Sequence, residues 1–231
     1  YSSTSNNDTV TIENYYNNRN NYTMIDKYGV EMKVQDFINS YLADGNQITE
    51  QNNTTFTYTD DTDRVIIPTG ASGYTYNLGS GADTITGENI TGVTINGGSG
   101  EDVVNISGTG NAINPGAGND RITITGVGEN ATNTVVYSQS NNINLLSASN
   151  SEIKIKLDFA IDNLSLRRSG DHLIIKHNAG QNGFVITDYF NNEVQNSDYK
   201  IVDSNNTETV LATFVENAGN ITELNNFIPE F

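Results

Sequence analysis

The chain has 231 residues, with 28 Asp and Glu against 11 Lys and Arg, a formal net charge of -17 and no cysteine. That charge argues against nucleic acid or an anionic membrane surface as a partner and suits a protein that meets divalent cations; without cysteine, neither disulfides nor thiolate metal sites can brace it. The length admits one large or two modest domains, no apolar run approaches the roughly 18 residues of a membrane span, and no signal peptide is visible.

Beginning on Tyr1, the chain is expected to be a fragment or processed product of a longer protein. Thr9 to Tyr16 alternates as a strand and ends in an aromatic pair, and Tyr22 to Asp26 reads as a second strand closed by a turn at Tyr28-Gly29. Glu31 to Leu42 places Val34, Phe37, Ile38, Tyr41 and Leu42 on one helical face, with Gly45 as its stop. Residues 1–45 are therefore expected to be the end of a preceding β-rich unit, and Asn46 to Thr57 a polar connector.

Next comes one loop design in three copies. The copies are Leu78-Gly79-Ser80-Gly81-Ala82-Asp83-Thr84-Ile85-Thr86, Gly97-Gly98-Ser99-Gly100-Glu101-Asp102-Val103-Val104-Asn105 and Pro115-Gly116-Ala117-Gly118-Asn119-Asp120-Arg121-Ile122-Thr123. Each follows G-G-x-G-x-D-x-U-x with U a large aliphatic, the middle copy in full and the others with Leu78 or Pro115 in first place. The pattern resembles the calcium-binding nonapeptide of RTX proteins, the haemolysin-type toxins and related secreted proteins.

The spacing has a physical consequence of its own. Aspartates at 83, 102 and 120 are 19 and 18 residues apart. Nine residues make a strand and a turn, so about eighteen make one coil, and successive aspartates share one edge about 4.8 Å apart. Stacked like charges at that distance repel by about 1 to 4 kcal/mol per pair, and a divalent cation between layers reverses the sign. Calcium fits because it accepts six to eight oxygens, carboxylate and carbonyl mixed, in loose geometry. Two calcium sites are expected, Asp83 with Asp102 and Asp102 with Asp120, with Gly79, Ser80, Gly81, Gly97, Ser99, Gly100, Gly116, Ala117 and Gly118 shaping the loops. A third candidate site involves Asp61 and Asp63, although counting back in eighteens puts the aspartate position on Val65. The opposite edge carries Tyr74, Val93 and Asn111, which are poor ligands.

Aliphatic and aromatic residues recur at Tyr58, Ile67, Tyr76, Ile85, Ile95, Val104, Ile113 and Ile122, which sets a parallel β-roll over 46–133, its last coil fading at Gly126 to Asn133 with Asn130 in the aspartate place. Beyond it, 134–231 reads as a β-rich cap: strands at Thr134 to Tyr137, Ile143 to Leu146, Ile153 to Leu157 and Asn163 to Leu166, a hairpin turn at Ser169-Gly170-Asp171, and a weak helix over Val215 to Ile228. Gly183 to Asn192 and Tyr199 to Asp203 partly duplicate Thr9 to Asn18 and Tyr22 to Asp26. The run from Leu164 to Ile175 followed by Val185 to Phe190 resembles the segment after the repeats in haemolysin-type toxins, which in that family closes the roll and helps nucleate its folding. The fold class is thus all-β, a parallel β-roll flanked by antiparallel β-rich caps with one or two short helices.

Other chemistry finds little support. His172 and His177 lie five apart on one strand, on opposite faces, so they form no relay and share no metal. Arg167-Arg168 reads as a solvated strand end near an acidic neighbour, and the aromatic pairs Tyr15-Tyr16 and Tyr189-Phe190 as core filling before sugar stacking. Glycosidase chemistry needs a carboxyl kept protonated at a set separation from its partner, which cation-binding loops do not provide. The resemblance implies a non-catalytic module of a large secreted bacterial toxin, exported by type I secretion and folded outside the cell by calcium. The alternative is a receptor- or glycan-binding, adhesin-like module, in either case a monomeric fragment.

Overall fold

The computed structural model describes residues 23–25, 31–33, 55–58, 60–137, 143–178, 183–191, 198–219 and 221–223. Strands β1 (Thr23–Ile25) and β2 (Glu31–Lys33) pair antiparallel, Met24 opposite Met32. The start of the expected 31–42 helix is therefore a strand, because pairing with β1 overrides a local helical period. The rest of that helix, the strand at Thr9 to Tyr16, Tyr15-Tyr16 and the Thr9 to Asn18 part of the duplication lie outside the described residues.

From Thr55 the chain winds through about five turns of a parallel β-solenoid. Strands alternate between two sheets: β3 (Thr55–Thr57), β4 (Arg64–Ile67), β5 (Thr75–Asn77), β6 (Thr84–Thr91), β7 (Thr94–Asn96) and β8 (Val103–Thr109). They continue as β9 (Ala112–Asn114), β10 (Arg121–Gly126), β11 (Thr132–Tyr137), β12 (Ile143–Ser149) and β13 (Glu152–Leu157). Hairpin β14 (Leu164–Ser169) and β15 (His172–His177) follows, then β16 (Gly183–Ile186), β17 (Asp198–Val202), β18 (Glu208–Val210), helix α1 (Leu211–Asn217) and β19 (Thr222–Glu223). One sheet orders β19-β14-β15-β16-β12-β10-β8-β6-β4 and the other β18-β17-β13-β11-β9-β7-β5-β3.

Alternation builds this core. In β11, Asn133, Val135 and Tyr137 are buried while Thr132, Thr134 and Val136 are half-buried, the period of a strand with one face inward. Stacking in register joins those inward residues into two ladders. The first is Phe56, Tyr76, Ile95, Ile113, Val135, Ile155 and Ile201. The second is Val65, Ile85, Val104, Ile122, Leu146 and Ile186. Both consist of buried side chains, each contributing about 1.5 to 3 kcal/mol on leaving water.

Several expectations change here. Val65 pairs with Ile85, so it is a core position and not an aspartate position, and the first coil is longer than eighteen residues. Phe56, not Tyr58, is the ladder residue stacked on Tyr76. Asn130 sits at φ 56 in a turn, and the edge position of its coil is Asn133. The parallel stack runs on past the boundary expected at 133: β11, β12, β13, β16 and β17 are coils, while β14 and β15 form the antiparallel excursion. The C-terminal helix starts earlier than the 215–228 span, at Leu211, which is fully buried and anchors it; Gly219 at φ 68 turns the chain back toward β19.

Candidate metal centre on the carboxylate edge

Each glycine loop ends on an aspartate two residues before a buried ladder aliphatic. The strand that follows fixes the aspartate at the inner corner of the coil, where Asp63, Asp83, Asp102 and Asp120 are all at most 1% exposed. One carboxylate oxygen of each rung binds the rung before it. The Asp63 N–H donates to Asp83 Oδ1 at 2.7 Å, the Asp83 N–H to Asp102 Oδ1 at 2.9 Å, and the Asp102 N–H to Asp120 Oδ1 at 3.0 Å. The series ends on an amide, the Asp120 N–H donating to Asn144 Oδ1 at 2.9 Å.

The opposite edge repeats the device without charge. There the Val93 N–H donates to Asn111 Oδ1 and the Asn111 N–H to Asn133 Oδ1, both at 3.0 Å, and Asn133 Nδ2 donates to Ser151 Oγ at 3.0 Å. The ladder's structural duty, accepting a backbone N–H, is therefore one that asparagine performs. What aspartate adds is a second oxygen, and Oδ2 of Asp83, Asp102 and Asp120 has no hydrogen-bond partner.

That leftover oxygen sets the electrostatics. Burial pushes the Asp83 carboxyl from its ordinary 3.8 up to about 6, opposed by the Asp63 N–H and reinforced by the charges of Asp102 and Asp63. Burial likewise pushes Asp120 up to about 7, with Asp102 and Glu101 adding to it, and raises Asp102 against the Asp83 N–H. A buried carboxylate without a partner must take a proton or a cation.

The loops above these corners nest backbone on backbone. The Ser99 N–H donates to the Gly79 carbonyl at 2.9 Å, and the Ser99 carbonyl accepts the Gly81 N–H at 2.8 Å. Ala117 does the same one coil on, accepting from Gly100 and donating to Gly98, so Ser80, Ser99 and Ala117 form a column of bridges at the apices. Glycine is needed for that approach: a Cβ on Gly100, at φ 131, would lie 1.7 Å from the Gly81 carbonyl oxygen. Gly116 and Gly118 face the Gly98 and Gly100 carbonyls in the same way. Gly97 differs, because a Cβ there would meet Asp102 Oδ2 at 2.5 Å and the Pro115 carbonyl oxygen at 2.2 Å. Its missing side chain leaves that carboxylate oxygen and a backbone carbonyl facing one space.

The third candidate site divides in two. Asp63 is a true rung in phase with Asp83, while Asp61 is an exposed apex residue whose carbonyl stacks against Gly81. The signal that finds Asp63, and also Asn133 and Asn144, is Asp or Asn two residues before a ladder aliphatic: Asp63-x-Val65, Asn133-x-Val135, Asn144-x-Leu146. A fixed eighteen-residue count misses all three.

The donor set fits a hard divalent cation in its chemistry: oxygen only, anionic, buried and with capacity left over. Among the described residues no three His, Cys, Asp or Glu side chains converge on one point, so an ion here would draw on two neighbouring rungs and on loop carbonyls. The other candidates lie elsewhere. His172 and His177 occupy opposite ends of β15; His172 Nδ1 accepts the Asp188 N–H at 3.0 Å, and the His177 ring meets Phe159 edge-on at 4.5 Å. Arg168 lies over the Phe190 ring at 4.4 Å with Asp171 at 3.8 Å.

No protein-family model matches the chain, and no curated protein matches it. The fold and its edge define the class: an all-β parallel solenoid with a ladder of buried aspartates along one side.

Proposed function

We propose that this chain is a non-catalytic, calcium-binding RTX-type module of a large secreted bacterial protein, a toxin by its resemblance, and that calcium stabilises its folded form outside the cell. The observation that carries this reading is the surplus carboxylate oxygen on Asp83, Asp102 and Asp120, buried and unpartnered, at positions where an asparagine oxygen would accept the same backbone N–H. The intervals Asp83–Asp102 and Asp102–Asp120 would hold the ions, and Asp63–Asp83, now in phase, makes a third. When bound, calcium supplies the positive charge that lets these carboxylates stay ionised out of water. The chain's own residues supply the ladder, the nested glycine loops and the two aliphatic columns that hold the edge in register.

In a calcium-poor cytosol the ionised edge opposes folding, which keeps the chain open for export. At millimolar calcium outside, each site contributes RT ln(1 + [Ca]/Kd), about 1.5 kcal/mol for a Kd of roughly 0.1 mM. Two or three such sites are comparable to the stability of a marginal domain. Far-ultraviolet circular dichroism during calcium titration tests the reading. A cooperative gain of β signal, reversed by chelator and not reproduced by magnesium at equal ionic strength, is expected. A ladder that needs only protons would answer to pH and ignore calcium.

A further inference from the structure

Far from the carboxylate edge, the C-terminal coils enclose a groove of about 620 Å³ between α1, the start of β17, the turn after β16 and the β14–β15 hairpin. Its floor is aromatic. The Tyr189 and Phe190 rings stand edge to face at 5.0 Å, and Tyr199 lies 6.0 Å from Tyr189. Both rings of the turn stay half-exposed although the core beside them is sealed. Burial, then the charge of Glu216, holds the Tyr189 phenol above its ordinary value, so it remains a neutral hydroxyl.

The rim settles what kind of ligand suits that floor. Lys200 is engaged by Glu152 at 2.6 Å, and Arg168 by the Gly170 carbonyl at 2.7 Å and by the Phe190 face. Both cations are thus compensated from within, while Asp198 and Glu216 add acceptor oxygens, so an anion meets no net positive field. A purely apolar ligand would have to strip water from five charged groups. The half-exposed Tyr189 ring, flanked by carboxylate acceptors and ammonium or guanidinium donors, suits a neutral polyhydroxylated molecule, whose C–H face stacks on the ring while its hydroxyls take both kinds of bond.

We propose that this groove is a binding site for a neutral saccharide. The proposal stands on the groove alone and is independent of the calcium reading. The test uses the full chain at millimolar calcium on an array of neutral, sialylated and sulfated glycans, with calorimetry on the glycans retained and on methyl glycosides of glucose, galactose and N-acetylglucosamine. Neutral glycans should be retained. Ala212→Trp, which fills the groove from an exposed helix position, should weaken binding at least tenfold while the melting temperature stays within a degree or so of wild type, and Glu216→Gln should weaken it several-fold. Retention of sulfated or sialylated glycans only, retention of none, or full binding by Ala212→Trp would overturn the proposal.

Discussion

At Asn111, Asn133 and Asn144 an amide does the backbone work that Asp83, Asp102 and Asp120 do with a charge. Substitution to asparagine therefore separates structure from ion binding. Asp102→Asn keeps the acceptor for the Asp83 N–H, so the metal-free protein should melt no lower than wild type. Because it borders two intervals, it should lose about 3 kcal/mol of calcium stabilisation, against about half that for Asp120→Asn. Asp102→Ala strands the buried Asp83 N–H as well and should cost a further 1 to 3 kcal/mol, roughly, with or without calcium; denaturant melts of the three variants in calcium and in chelator check both statements. The pH dependence has a definite sign. Folded-state values near 6 for Asp83 and near 7 for Asp120, against an ordinary 3.8, mean the folded metal-free chain holds protons that the unfolded chain has released. That contribution is fully present below the ordinary value and is lost as pH rises through about 6 to 7. Asp203 and Glu208, whose carboxyls are held down by backbone N–H groups and by Lys154 respectively, act only at more acid pH. Metal-free melting temperature should therefore fall between about pH 5 and pH 8, and a flat profile in chelator would show that the edge carries no such burden.

At the scale of elements, the glycine loops and the aliphatic columns hold the coils together from opposite sides. Gly100→Ala forces a Cβ into the Gly81 carbonyl and should abolish cooperative melting of the roll. Gly128→Ala, at φ 93 with nothing within 4 Å of the added carbon, should cost only about 1 to 2 kcal/mol, the strain of a left-handed alanine. Ile122→Ala, in the middle of a fully buried column, should cost about 2 to 5 kcal/mol in a urea titration. These elements differ in how plainly the sequence announces them. The loops are legible because their chemistry is local: glycine where carbonyls touch, aspartate at the corner, an aliphatic two residues on. The later coils are not, because register is a long-range property. Ile113 pairs with Val135 and Ile122 with Leu146, steps of 22 and 24 residues, and loops of uneven length leave no fixed period to count. Counting in eighteens lands on Val65 and not on Asp63 for the same reason, and the strand at Glu31–Lys33 escapes a local reading because pairing with Thr23–Ile25 outweighs helical spacing.

For the whole molecule, four of the 28 Asp and Glu behind a net charge of -17 lie in one buried column, where charge does most against folding. Hydrophobic columns, amide ladder and nested loops all favour the same wound form, and the aspartate edge alone opposes it until the charge is neutralised. Such a fold has two ways to be stable at neutral pH, proton uptake or cation uptake, and only the second follows the calcium level as the proposed function requires. The most direct test is the melting temperature at pH 7.5 measured by calorimetry across a calcium titration from chelator to 10 mM. Calcium binding at this edge predicts a rise of roughly 10 °C with a submillimolar midpoint, from two or three sites at about 1.5 kcal/mol each in a domain of this size, and a rise cut by more than half in Asp102→Asn. Identical melting in chelator and in 10 mM calcium would contradict it.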